Sequence, residues 1–234
     1  MNTKAIPSKD KYQLIAKFQQ LRQVTLDICN SIEYEDYLVQ PCPEVSPPKW
    51  HLGHSTWFFE EVILKKYLDS YTTFNPQYRV LFNSYYKAVG QHTIQSERGH
   101  LSRPTLAEVM RYRAYVDSEL IRFINEVPIT ETLATLIETG MHHEQQHQEL
   151  LFMDIKYILA CNIVDTSYTL MPLEGAPKQL KKESWISYKE GLYEIGYKGM
   201  AFSYDNERPS HKHYLYPFAI NQALVTNGEF LAFI

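Results

Sequence analysis

The 234-residue sequence has little cysteine: Cys29, Cys42 and Cys161 are odd in number, widely spaced and form no C-x-x-C pair. A reducing cytoplasm is therefore the expected compartment. An apolar leader is also missing, because Met1–Asp10 is polar, so no signal peptide is expected. The longest apolar stretches, such as Leu150–Met153 and Val62–Leu64, fall far below the ~20 residues of a membrane span. Positive charge is not in excess either. Lys and Arg number 23 against 27 Asp and Glu, a net charge of −4, with no basic run. Neither a nucleic acid nor a membrane is an expected partner. No internal repeat or low-complexity tract is present.

What remains is ordinary globular composition, 44% hydrophobic and 21% charged, which excludes disordered and fibrous classes. Aromatic residues reach 14%, with 18 tyrosines, which suits a polar-tipped core and a lined pocket. At about 150 residues per domain the length suggests one to two domains.

Hydrophobic periodicity predicts four long amphipathic helices. The first runs from about Ser8 to Ile32, with Leu14, Phe18, Leu21, Thr25, Ile28 and Ile32 on one face. The second opens at Ser46-Pro47, read as an N-cap followed by a first-turn proline, and reaches about Leu68. The third starts at the capping box Thr105–Glu108 and turns Val109, Val116, Leu120 and Phe123 inward. The fourth spans about Glu131–Cys161, with Leu133, Leu136, Ile137, Leu151, Ile155 and Ile158 on its apolar side. Connected stripes of this length read as a four-helix bundle.

The connection Asp69–Arg103 is long for a bundle, and loops of that length tend to be functional or crossovers. It carries Phe82-Asn83-Ser84-Tyr85-Tyr86 and Arg98-Gly99-His100-Leu101-Ser102-Arg103-Pro104. After Cys161 the pattern changes. Met171–Pro177 is turn-rich, Trp185–Tyr188 and Leu192–Tyr197 read as strands, and Val225–Ile234 begins a helical pattern that the chain end interrupts. Two domains are expected, a bundle over 1–165 and the start of a mixed domain over 166–234.

The sharpest chemical signal is His142-His143-Glu144-Gln145-Gln146-His147 in the fourth helix. His143 and His147 are four apart, so they share a face about 6 Å apart along the axis and can share one metal ion. Thr139–Glu149 is polar where the rest of that helix is apolar, and an inward polar cluster costs several kcal/mol unless something satisfies it. A solvent-exposed His/Gln surface is the plainer alternative. H-E-x-x-H also matches the zinc-protease helix, in which the glutamate is the general base. The positions where a metzincin continues with Gly and His hold Leu150 and Met153, however.

The second signal is Trp50-His51-Leu52-Gly53-His54 on helix two. Helical stepping puts His54 in the apolar stripe with Trp50, Trp57, Phe58 and Glu61. His51 lies about 60° away and is expected to point away from the fourth helix. His54 is either a satisfied core histidine or the third imidazole of a facial triad with open positions. Glu144, about 100° round the helix from His143, is not expected to be a ligand.

Ser46-Pro47-Pro48-Lys49-Trp50-His51-Leu52-Gly53-His54-Ser55-Thr56-Trp57-Phe58-Phe59-Glu60, His143–Leu150, Arg98–Thr105 and Asp205-Asn206-Glu207-Arg208-Pro209 together resemble the ergothioneine-biosynthesis, iron-dependent sulfoxide synthases, the EgtB family. The resemblance covers about residues 10–234. It implies a DinB-like four-helix bundle fused to an incomplete α+β domain of formylglycine-generating-enzyme type, with a C-type-lectin-like fold. It further implies that non-haem Fe(II) and O₂ join a thiol, cysteine or γ-glutamylcysteine, to C2 of a histidine-betaine imidazole as a sulfoxide. The implied iron ligands are His54, His143 and His147. Gln146 would stand beside the betaine imidazole, and Arg98, with Arg103 as rival, would hold the thiol substrate's carboxylate. The family's catalytic tyrosine would lie beyond Ile234, so the chain is expected to bind metal without completing the reaction. Alternatives are an ovothiol-type synthase using unmodified histidine, a DinB-like thiol transferase or hydrolase at Zn or Ni, and a binding module whose histidines serve only structure. Zn or Ni is also expected to replace iron readily in a purified sample.

Overall fold

A computed structural model describes residues 5–84, 90, 92–168, 184–199 and 201–234. It divides into two compact units, Met1–Leu170 and Met171–Ile234. Tyr85, Tyr86 and the turn-rich Met171–Pro177 lie outside the described residues.

The first unit is helical. Helix α1 covers Ser8–Cys29 and stops one turn short of Ile32. Its last carbonyls have other partners: the Tyr168 hydroxyl donates to the Ile28 carbonyl (2.8 Å) and the Tyr37 hydroxyl to that of Cys29 (3.0 Å). Groups that a helix end leaves without an intrahelical partner are thus satisfied by side chains. Helix α2 covers Pro48–Phe58, with Pro47 as its N-cap and proline in its first turn. Ser46, expected as the cap, is used elsewhere. Its backbone N–H donates to Asp154 and its hydroxyl accepts from Arg98.

All eleven residues of α2 are buried, as befits a helix enclosed by others. The chain continues through a π-helical segment, Phe59–Leu64, into the short α3, Lys65–Tyr67. The long connection holds α4 (Tyr78–Leu81) and a 3₁₀ segment, Gln95–His100. Helix α5 (Leu106–Glu126) starts at the expected capping box. Glu108 N–H donates to Thr105 Oγ1 (3.2 Å) while Thr105 N–H donates to the Glu108 carboxylate (2.7 Å). Helix α6 (Glu131–Ala160) is capped by Thr130.

These four long segments share one core. Phe18 and Leu21 of α1, Leu52 and Trp57 of α2, Val116 and Phe123 of α5, and Ile137 and Leu151 of α6 all belong to it. The core is not wholly apolar. Glu144 is fully buried and accepts from Arg22 Nη1 (2.8 Å), Arg113 Nη2 (2.6 Å) and Thr25 Oγ1 (2.7 Å). Arg22 Nη2 also donates to Thr56 of α2 (2.8 Å), and Arg22 Nε pairs with Asp117 (2.8 Å). One carboxylate therefore ties α6 to α1 and α5 at the level of the histidines.

In the second unit, β1 (Trp185–Tyr188) pairs antiparallel with β4 (Phe218–Asn221), and β2 (Gly191–Ile195) with β3 (His211–Leu215). Strand β2 ends before the expected Tyr197 because Gly196 takes φ +103°, and a Cβ there would lie 2.8 Å from the Pro209 carbonyl oxygen. Helix α7 (Asn227–Phe233) carries its own Thr226–Glu229 capping box. Among the described residues no helix is long and apolar enough to cross a membrane.

Candidate metal centre

Helices α2 and α6 bring His54, His143 and His147 together. One ring nitrogen from each lies within 4.8 Å of the others. His54 Nε2 and His143 Nε2 are 3.2 Å apart. Metal–nitrogen bonds of about 2.1 Å at tetrahedral or octahedral angles separate nitrogens by about 3.0–3.4 Å, so this pair already has the spacing of two ligands. The donor set fits a divalent transition metal, and three protein nitrogens leave coordination positions for other groups.

Each imidazole is held. His54 stacks on Trp50 (centroids 4.5 Å, 10°) and Trp57 (5.6 Å, 14°), its neighbours one turn away on either side. Its Nδ1 lies 2.6 Å from the Phe82 carbonyl oxygen. A carbonyl only accepts, so Nδ1 carries the proton and Nε2 presents its lone pair to the cluster. The ring of His143 packs on Phe58 (4.9 Å, 30°). Gly53 permits this arrangement, because a Cβ there would lie 2.2 Å from the Phe82 ring.

The cluster is held in its neutral, ligand-competent form. Burial lowers the His143 pKa to about 4, against an opposing pull from Glu144. Burial also pushes His54 well down, helped by the charge of His143 and only partly offset by the Phe82 carbonyl. His147 is lowered by burial first, then by His54, His51 and His143.

The three histidines line a cavity of about 530 Å³ that also includes Trp50, Arg98 and Gln146. Arg98 is buried, lies 3.3 Å over the Trp50 ring and donates to Ser46 Oγ (2.8 Å). Gln146 is exposed at the cavity wall, one turn from His143. Arg103, the rival to Arg98, is exposed and lines a different cavity with Pro104 and Glu108.

One expectation changes, and one disfavoured alternative is closed. His51 does not point away from α6: its Nδ1 lies 3.0 Å from His147 Nδ1 and its Nε2 2.8 Å from Asp154 Oδ2. Helical phase separates His51 from His54 by only 60°, and α6 is close enough to be reached by both. The zinc-protease reading fails at Glu144. Burial pushes its carboxyl up, but Arg113 and Arg22, with hydrogen bonds from Arg113 and Thr25, outweigh that and hold it at about 2. Locked between two guanidiniums and absent from the cavity wall, it is no general base for this site. The Arg22–Glu144–Arg113 clamp escaped sequence reasoning, although each residue sits at a core position of an apolar stripe.

The sequence profile of the DinB superfamily matches residues 17–151. The chain belongs to the DinB superfamily. The matched DinB span includes all three cluster histidines, Arg98 and Gln146, and ends three residues before Asp154. No protein of curated function matches the sequence.

Proposed function

We propose that this DinB-type unit is the iron-binding half of a non-haem Fe(II), O₂-dependent sulfoxide synthase of ergothioneine type. On this reading α1, α2, α5 and α6 form a four-helix bundle, and the second unit belongs to a formylglycine-generating-enzyme-like domain. The observation that carries it is the convergence of three imidazoles in a cavity shared with Arg98 and Gln146.

His54, His143 and His147 would hold the iron, which supplies the centre at which O₂ is reduced. The reaction joins the thiol sulfur to imidazole C2 with loss of the S–H and C2–H hydrogens. One oxygen atom ends on sulfur and the other leaves as water. Arg98, already oriented by Trp50 and Ser46, binds the carboxylate of the thiol substrate. Gln146 offers its amide to the histidine-betaine imidazole. The buried indoles of Trp50 and Trp57 keep water from His54.

The test loads the chain with Fe(II) anaerobically and titrates histidine betaine by calorimetry. O₂ and either cysteine or γ-glutamylcysteine are then admitted, and products are read by mass spectrometry. Betaine uptake that depends on Fe(II), with or without sulfoxide formation, supports the proposal. Betaine uptake indifferent to Fe(II), with no sulfoxide, overturns it. Preference for unmodified histidine would favour an ovothiol-type synthase, and thiol transfer with Zn(II) in the absence of O₂ a transferase.

A further inference from the structure

Behind His147 runs a hydrogen-bonded chain that the metal assignment does not use. His147 and Asp154 are seven apart on α6, two turns along one face. His51 reaches between them from α2. Its Nε2 is 2.8 Å from Asp154 Oδ2 and its Nδ1 is 3.0 Å from His147 Nδ1. The site is enclosed, with side-chain exposure of 3% for His51 and 13% for Asp154.

A carboxylate accepts hydrogen bonds and cannot donate, so the proton between Asp154 and His51 belongs to His51 Nε2. A neutral His51 then has only a lone pair at Nδ1. The contact between the two Nδ1 atoms needs one proton, and His147 must supply it. His147 Nε2 is left bare. The opposite state, an imidazolium at His51 donating in both directions, would put the proton of His147 on Nε2 and remove that nitrogen as a ligand.

We propose that Asp154 and His51 are positioning residues that fix His147 as its Nδ1–H tautomer and aim Nε2 into the histidine cluster. They do for His147 what the Phe82 carbonyl does for His54. The chain extends further. The backbone N–H of Ser46 donates to the same Asp154 oxygen (2.9 Å), and Ser46 Oγ accepts from Arg98 (2.8 Å). The cavity arginine and the ligand on α6 thus share one anchor, at the start of α2. Groups that orient a ligating imidazole in this way typically contribute about 10- to 100-fold to metal affinity.

The choice of a neutral His51 and the affinity arm of the test rest on reading His147 as a ligand; the tautomer itself is read without metal. In the metal-free chain, long-range ¹H–¹⁵N correlation of the imidazoles assigns the His147 tautomer. The parent should give the Nδ1–H pattern, and His51→Leu or Asp154→Asn a mixture or the Nε2–H form. In the second arm Zn(II) is titrated by calorimetry. Both variants should lose about 10- to 100-fold in affinity at unchanged far-UV dichroism, and His51→Gln, whose side-chain carbonyl can accept from Nδ1–H, should recover most of it. An Nε2–H or doubly protonated His147 in the parent overturns the proposal, and so does parent-like Zn(II) affinity in both variants. Should His51→Leu fail to fold, the parent tautomer and Asp154→Asn still decide. A parent with the Nδ1–H pattern that takes up no Zn(II) would defeat the metal assignment and uphold the relay.

Discussion

Glu144→Gln should cost the first unit about 3 kcal/mol while leaving the histidine cluster able to bind metal. The glutamine keeps the shape but removes the charge that faces two buried guanidiniums, Arg22 (4% exposed) and Arg113 (2%). Removing one partner of a buried ion pair costs about 3–5 kcal/mol, because the remaining charge is left uncompensated. An independent route agrees: the fall of the Glu144 pKa from 4.5 to about 2 corresponds to about 3 kcal/mol. Asp117, paired with Arg22 at 2.8 Å, softens the loss on that side, so the lower end is expected. For a chain of this size the thermal midpoint should drop by roughly 6–12 °C, read by dichroism or calorimetry. The pH dependence has a definite sign. Because folding lowers this carboxyl's pKa, its contribution is complete above about 4.5 and is lost as the pH falls toward 2. Stability curves of the metal-free parent and variant should therefore converge in acid. A midpoint within 2 °C of the parent at neutral pH, combined with a tenfold or greater loss of Zn(II) affinity, would refute this reasoning and return Glu144 to the metal site.

Gly53→Ala should weaken both stability and metal affinity. Its Cβ overlaps the Phe82 ring, and displacing Phe82 moves the carbonyl that orients His54; overpacking of this kind costs about 1–3 kcal/mol. Denaturant unfolding and Zn(II) calorimetry check the two effects, and a parent-like result in both would contradict the close approach. Cys29 should resist alkylation. Burial pushes its thiol up to about 11, against Arg113 and Tyr37, and only the thiolate reacts. Iodoacetamide at pH 8 followed by peptide mapping should label the exposed Cys161 well before Cys29, and equal rates would contradict that burial.

Much of the first unit was legible because stripe and cap coincide. Thr105–Glu108 fixed the start of α5 to the residue, and the i, i+4 spacing of His143 and His147 placed two imidazoles on one face. His54 was found because a polar residue in an apolar stripe needs a reason. The same logic applies to Arg22, Arg113 and Glu144, which occupy core positions of three stripes, yet helical phase alone does not pair residues on different helices. The role of His51 was not legible. A 60° offset decides nothing about contact unless the distance to the neighbouring helix is known, and helix separation is a property of packing. Likewise Ser46 looked like a cap from its sequence neighbours, while its partners, Asp154 and Arg98, lie 108 and 52 residues away.

The proposed function requires His54, His143 and His147 to hold one metal ion. The most direct measurement is Fe(II) stoichiometry after anaerobic reconstitution and desalting, for the parent chain and for His54→Ala, His143→Ala and His147→Ala, with dichroism confirming that each is folded. About one ion per parent chain and less than a tenth of an equivalent in each variant are expected, since two imidazoles do not define a facial site. A folded parent retaining less than a tenth of an equivalent, or variants that retain the parent's full complement, would contradict it.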